Sequence, residues 1–172
     1  MGAMDISITA MNEQHLDAVQ AIEQDSFVTP WPLQLFRQEL EIPVALSLIA
    51  AVREDGRDTV AGYFCAWIVT DDCTILRIAC DQQLRRRGIG RILLQQGLTR
   101  AWERGARRVT LEVRLSNTSA LEFYRACGFA IAGVRKGYYP ETGEDALVMQ
   151  MALTPPPRGG NKQAAGNIFT PS

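Results

Sequence analysis

Residues 85–91, Arg85-Arg86-Arg87-Gly88-Ile89-Gly90-Arg91, put four arginines and two glycines between two different hydrophobic periodicities. The apolar run 74–80 reads as a strand, and Ile92, Leu93, Leu94 and Leu98 read as one face of a helix. A strand, a glycine-bearing loop and a helix start make an anion site. The glycines allow a tight turn and a close approach of backbone to ligand. The first turn of the helix offers unpaired N–H groups backed by the positive end of the dipole. Guanidinium groups add full charge for phosphate oxygens. Two familiar nucleotide loops are excluded. A P-loop needs Lys-Ser/Thr after the second glycine, where Arg91-Ile92 stands, and a dinucleotide fingerprint needs a third glycine.

The elements that must position this loop follow from patterning. Residues 6–9 alternate as a first strand. Asn12 is an N-cap candidate for a helix carrying Leu16, Val19, Ile22 and Phe27. Thr29-Pro30-Trp31-Pro32 breaks it before a short helix through Leu33, Phe36 and Leu40. Strands are expected at 45–52 and 60–70, joined by the polar turn 53–58, and at 73–80. After the loop helix, with Gly105 as its C-cap, come a strand at 109–113, a helix capped by Asn117 or Thr118 and stopped by Gly128, and a closing strand pair at 129–134 and 146–153. Alternation of this kind predicts an α/β fold: one domain, a central sheet and helices on both faces.

Composition agrees. The chain has 172 residues, 47% hydrophobic and 22% charged, enough for one domain with a sizeable core. A net charge of −1 makes the arginine cluster a local feature and weighs against a nucleic-acid role. The absence of an apolar run of about 20 residues, and of a basic and then apolar start, predicts neither a membrane span nor a signal peptide. Cys65, Cys73, Cys80 and Cys127 form no C-x-x-C pair, and His15 is the one histidine. Reduced thiols in a cytoplasmic protein, with no metal site, are expected. Residues 1–4 read as a tag remnant or flexible start, 5–153 as the domain, and 154–172 as a flexible Pro/Gly-rich tail that could dock its Ile168-Phe169 end.

The R-x-x-G-x-G loop and this element order resemble the GNAT N-acetyltransferase family along residues 5–153. The likeness extends to Leu111-Glu112-Val113-Arg114, Ser116-Asn117, Ala120, Tyr124, Gly128-Phe129, Tyr138-Tyr139-Pro140 and Glu144-Asp145-Ala146, a string similar to the ribosomal-protein alanine N-acetyltransferases of that family. The resemblance implies the GNAT fold, with a mixed, mostly antiparallel sheet flanked by helices, and acetyl-CoA as co-substrate. It implies Glu112 as general base and Tyr124 as general acid toward the coenzyme A sulfur. Ile78, Ala79 and Cys80 are expected to pair their backbone with the acetyl and pantetheine portions. Arg85, Arg86, Arg87, Gly88, Ile89, Gly90 and Arg91 would hold the pyrophosphate, and Asn117 would add a coenzyme A contact. Phe27, Trp31, Tyr138 and Tyr139 would wall the acceptor groove. Glu144 and Asp145 would either attract a basic acceptor or solvate a turn.

The implied reaction is direct acetyl transfer to the α-amine of the N-terminal alanine of small-subunit ribosomal protein eighteen. The partners are then a ribosomal protein's N-terminal peptide and acetyl-CoA. A small-molecule amine acceptor and a non-catalytic acyl-CoA-binding module remain open as alternatives. The sequence departs from the family at Arg85, where glutamine is usual, and in the tail beyond Leu153.

Overall fold

Among the described residues seven strands form one sheet, whose central strands are buried on both faces by two helix pairs. The computed structural model describes residues 4–157; the expectations for residues 1–3 and 158–172 lie outside the described residues. The strands are β1 (Asp5–Ala10), β2 (Ala45–Glu54), β3 (Arg57–Val69), β4 (Asp72–Cys80), β5 (Arg108–Arg114), β6 (Ala130–Tyr139) and β7 (Glu144–Ala152). The helices are α1 (Leu16–Ser26), α2 (Leu33–Glu39), α3 (Ile89–Glu103) and α4 (Thr118–Ala126). Sheet order is β1-β2-β3-β4-β5-β7-β6, and among the described residues only β4 and β5 run parallel. None of these helices is long and apolar enough to cross a membrane.

Each face of the sheet has its own core. Leu48, Phe64, Ile75, Val109, Leu111 and Met149 meet Leu93, Leu94 and Leu98 of α3 and Leu121 of α4. Ile49, Tyr63, Cys65 and Ala79 meet Leu16, Val19 and Ile22 of α1 and Phe36 of α2. Burial of such side chains stabilises the fold by about 1.5–3 kcal/mol each. All four cysteines are free, and Cys80 alone is not fully buried.

Local signals set several boundaries. Asn117 caps α4, its Oδ1 accepting from the Ala120 N–H at 3.1 Å. Gly105 and Gly128 follow α3 and α4 at φ +100° and +96°, as helix stops require. The polar turn expected at 53–58 is shorter. The strands run on to Glu54 and Arg57, and Asp55-Gly56 alone makes the turn, both at positive φ. Strand β6 also runs further than 129–134, to Tyr139.

Contact between α3 and the sheet depends on a missing side chain. A Cβ at Gly97 would lie 2.7 Å from the ring of the fully buried Phe64. Overpacking in Gly97→Ala is therefore expected to cost about 1–3 kcal/mol, against roughly 1 kcal/mol that alanine gains in helix propensity, a net destabilisation of up to about 2 kcal/mol. The midpoint of urea unfolding should fall; a midpoint at or above wild type would mean that the ring yields.

Candidate active site

The parallel pair β4–β5 opens into a cleft. Strands β4 and β5 pair at Asp72↔Arg108, Cys73↔Val109 and Thr74↔Thr110, and no further. Beyond Thr74 the β4 edge facing β5 has no strand partner, so its N–H and C=O groups are available to an extended ligand. The opening has a volume of about 570 Å³ and is lined from both strands, from the α1–α2 connection, from α4 and from the β6–β7 region.

A bulge decides what β4 presents there. Cys65 of β3 faces Arg77, and Ala66 faces Ile75, leaving Leu76 as an extra residue. Before the bulge, Cys73 and Ile75 point into the α3 core. After it, Ala79 packs with the α1 core, opposite Tyr63, and Arg77 shares that face. On β5, Val109, Leu111 and Val113 are core, so Glu112 and Arg114 face the side of the α1–α2 connection.

The cleft gathers both expected catalytic residues, all four expected acceptor-groove residues and two of the expected cofactor contacts. Phe27, Trp31, Ile78, Glu112, Asn117, Tyr124, Tyr138 and Tyr139 all line it. Glu112 is held from two sides. Its Oε1 pairs with Arg135 Nε at 3.0 Å, and its Oε2 accepts from the Tyr138 hydroxyl at 3.5 Å. Tyr124 comes from α4, only 8% exposed, with its ring edge-on to Phe123 and Phe129. Burial, with the Cys127 and Cys80 thiols nearby, raises its pKa far above the ordinary phenol value. The group stays protonated through the neutral range, as a proton donor must. Burial, with the Glu112 charge behind it, also raises Tyr138.

The remaining expected residues continue past the end of β4 and do not line this cleft. Ala79 is buried, and the Cys80 thiol is pushed up to about 11 by burial. A thiol held there is not a thiolate at neutral pH. In the loop, Arg86 and Gly88 take left-handed backbone, φ +64° and +80°. Gly88 caps α3 without a side-chain bond, so the first N–H groups of that helix meet no capping side chain. Gly90 lies against the Cys80 sulfur. The Ile89 side chain is core, and the Arg85 guanidinium turns back to the Cys80 carbonyl and the Ser26 hydroxyl, each at 3.2 Å. Arg85 thus ties the loop to β4 and to the end of α1, while Arg86, Arg87 and Arg91 are exposed.

Residues 16–129 match the Acetyltransferase (GNAT) family. The chain belongs to the GNAT family of acetyltransferases. A Bacillus subtilis protein, provisionally named as the alanine N-acetyltransferase of ribosomal protein bS18, is 38% identical over 148 residues, covering 86% of this chain and 95% of its own. The crystal structure of the Escherichia coli ribosomal-protein alanine N-acetyltransferase superposes with a TM-score of 0.77 at 29% identity, covering 91% of this chain and 99% of that one. An Arabidopsis thaliana protein solved in complex with acetyl-CoA shares the fold, TM-score 0.78, at 20% identity over 86% of this chain and 98% of its own.

This GNAT site also holds residues to which the sequence assigned no role. Arg114 lines the cleft, stacks on the Tyr139 ring at 3.8 Å and binds Glu141, Thr142 and Glu144. Glu144 further accepts from the Ser116 N–H, and Asp145 binds Lys136 and the Gly137 N–H. Both acids are thus engaged in fixing the β6–β7 turn. The buried Glu23 and Tyr63 meet the half-buried Arg77 in a cluster behind the α1–α2 connection. One signal for it stood in the sequence: Glu23 adjoins Ile22 on the apolar face of α1, where a charge needs a partner.

Proposed function

We propose that the protein transfers acetyl from acetyl-CoA to the α-amine of the N-terminal alanine of ribosomal protein bS18 in the cytoplasm. The observation that carries this reading is the parting of β4 and β5, with Glu112 and Tyr124 on the walls of one cleft. The free edge of β4 fits an extended pantetheine arm lying as an added strand, with Ile78, Ala79 and Cys80 supplying backbone groups. The uncapped start of α3 and the exposed Arg86 and Arg87 fit a pyrophosphate. Gly88, Ile89, Gly90 and Arg91 contribute through backbone N–H groups. Arg85 acts on the shape of the loop, and Asn117 offers its amide beside the helix start that it caps.

The acceptor enters from the side walled by Phe27, Trp31, Tyr138 and Tyr139. Its neutral amine attacks the thioester carbonyl carbon; the new N–C bond forms as the C–S bond breaks. Glu112 takes the proton the amine loses, directly or through one water, and Tyr124 directs its O–H at the departing sulfur. An α-amine has a pKa near 8, so a carboxylate base serves at neutral pH.

Two kinds of support meet here: the named acceptor of relatives that align over 86% of this chain, and a cleft whose aromatic walls suit a peptide. The test is mass spectrometry of a peptide panel varied at its first residue, incubated with acetyl-CoA. The bS18 N-terminus, beginning with alanine, should gain one acetyl group at its α-amine. Acetylation of free small amines with no acetylation of any peptide would overturn the acceptor.

A further inference from the structure

Arg77 lines the cleft, yet the acetyl transfer gives it no proton to move. Its charge is already spent. Nη2 pairs with Glu23 Oε1 at 3.2 Å and donates to the Thr29 carbonyl at 3.1 Å. The guanidinium lies 4.1 Å from the centre of the Phe27 ring and 5.0 Å from that of Trp31. Glu23 is fully buried and accepts two further bonds, from the Trp31 N–H at 2.8 Å and from the Tyr63 hydroxyl. The Trp31 carbonyl takes a third tie, from Gln20 Nε2 at 2.9 Å. Apart from the Arg77–Glu23 and Tyr63–Glu23 bonds, which anchor the cluster itself, these contacts fall on residues 27–31, the connection between α1 and α2 that lines the cleft. From the opposite wall, the Thr29 hydroxyl also meets Glu141, which Arg114 holds.

We propose that Arg77 is a positioning residue for the acceptor: it fixes the height and orientation of the 27–31 roof so that an N-terminal peptide can lie beneath it with its amine toward Glu112. This rests on the reading that the acceptor enters under that connection. Two physical points support the role. The Leu76 bulge turns Arg77 to this face; without it, strict alternation would send the side chain into the α3 core. Pairing with Glu23 also cancels the guanidinium charge, so an incoming ammonium meets no net repulsion. Lysine could keep that cancellation, but it lacks the planar fork that stacks on Phe27 while bonding Thr29.

Arg77→Lys is therefore the informative variant, because it leaves Glu23 with a cation and avoids an unpaired buried carboxylate. Hydrogen exchange on the full chain should speed up at residues 27–31 and stay at wild-type rates in β3. Steady-state kinetics should show the KM for the acceptor peptide raised about fivefold or more, with kcat and the KM for acetyl-CoA within about twofold, the pattern of lost binding without lost chemistry. Should Arg77→Lys fail to fold, Gln20→Ala removes only the tie to the Trp31 carbonyl and should shift both readouts the same way by less. Unchanged exchange at 27–31 would overturn the clamp. A fall in kcat matched by a rise in both KM values would assign Arg77 to general stability and overturn the positioning role. Absence of wild-type turnover on any peptide would overturn the acceptor reading, and the role with it, whatever the exchange data show.

Discussion

Glu112→Gln is expected to lower kcat for peptide acetylation by about 10²-fold or more while leaving acetyl-CoA binding within about twofold. The amide is nearly the same shape and can still accept from Tyr138, so the wall of the cleft survives. What it loses is the capacity to take a proton from the attacking amine. It also loses the charge opposite Arg135, but that pair reaches solvent, with the Arg135 side chain 57% exposed. Such a pair contributes at most about 1 kcal/mol, so the melting temperature should hardly move. The pH dependence separates the two roles. An α-amine of pKa near 8 is mostly protonated at pH 7. Both enzymes attack with the neutral amine, but with its base removed the variant must give the proton released on attack to water or hydroxide, so its deficit should narrow as pH rises through 9. Rates measured from pH 6 to 10 with the bS18 N-terminal peptide check this. A loss of a few-fold at every pH would make Glu112 a structural partner of Arg135 and Tyr138, with the base elsewhere.

What could be read from the sequence was local. The loop at 85–91 announces itself by composition, and its neighbours by period; α3 and its two glycines follow. Asn117 caps α4 because an amide oxygen three residues before an N–H is a short-range arrangement. The hairpin at Asp55-Gly56 was just as local, and the expected turn was too long because the charges around it read as loop. Pairing of Arg53 with Asp58 and of Glu54 with Arg57 lets those charges sit in register on opposite strands. The path of β6 through Tyr138 and Tyr139 was hidden by an irregular register, in which four steps on β6, from Arg135 to Tyr139, match two on β7. Asp145 holds that irregularity through the Gly137 N–H.

Of the Glu23–Tyr63–Arg77 cluster, only Glu23 on the apolar face of α1 carried a local signal, and nothing local named its partners. The members of the cluster come from α1, β3 and β4, and they meet only because one residue of β4 is extra. No residue type marks Leu76 as a bulge. Counting by twos along 73–79 would have buried Arg77 beside α3, where a charge has no partner. Arg135 escaped for a different reason: it belongs to an exposed edge strand, and only the intervening β7 brings it within reach of Glu112.

Tyr124→Phe should lower kcat by roughly 10²-fold, with peptide and acetyl-CoA KM little changed, because the hydroxyl acts on a sulfur that carries charge only as the C–S bond breaks. Removing one oxygen from a ring packed on Phe123 and Phe129 keeps the shape of that wall. The raised pKa dictates how the loss should vary with pH. A buried phenol of this kind remains protonated across the working range, so the O–H is present at every pH at which the amine is neutral. Wild type should then show no fall in rate between pH 8 and 10 from ionisation of Tyr124, and the variant's profile should be displaced downward without changing shape. The same raised pKa limits the effect. A thiol titrates near 8.5, so handing the proton fully to its thiolate is uphill for such a phenol. Its main contribution is then a hydrogen bond that strengthens as charge builds on sulfur, with the proton lost by the amine completing the thiol. Pre-steady-state acetyl transfer in Tyr124→Phe across that pH range decides the matter. A profile that loses its alkaline arm in wild type but not in the variant would mean that Tyr124 ionises in the cycle, against the burial that surrounds it.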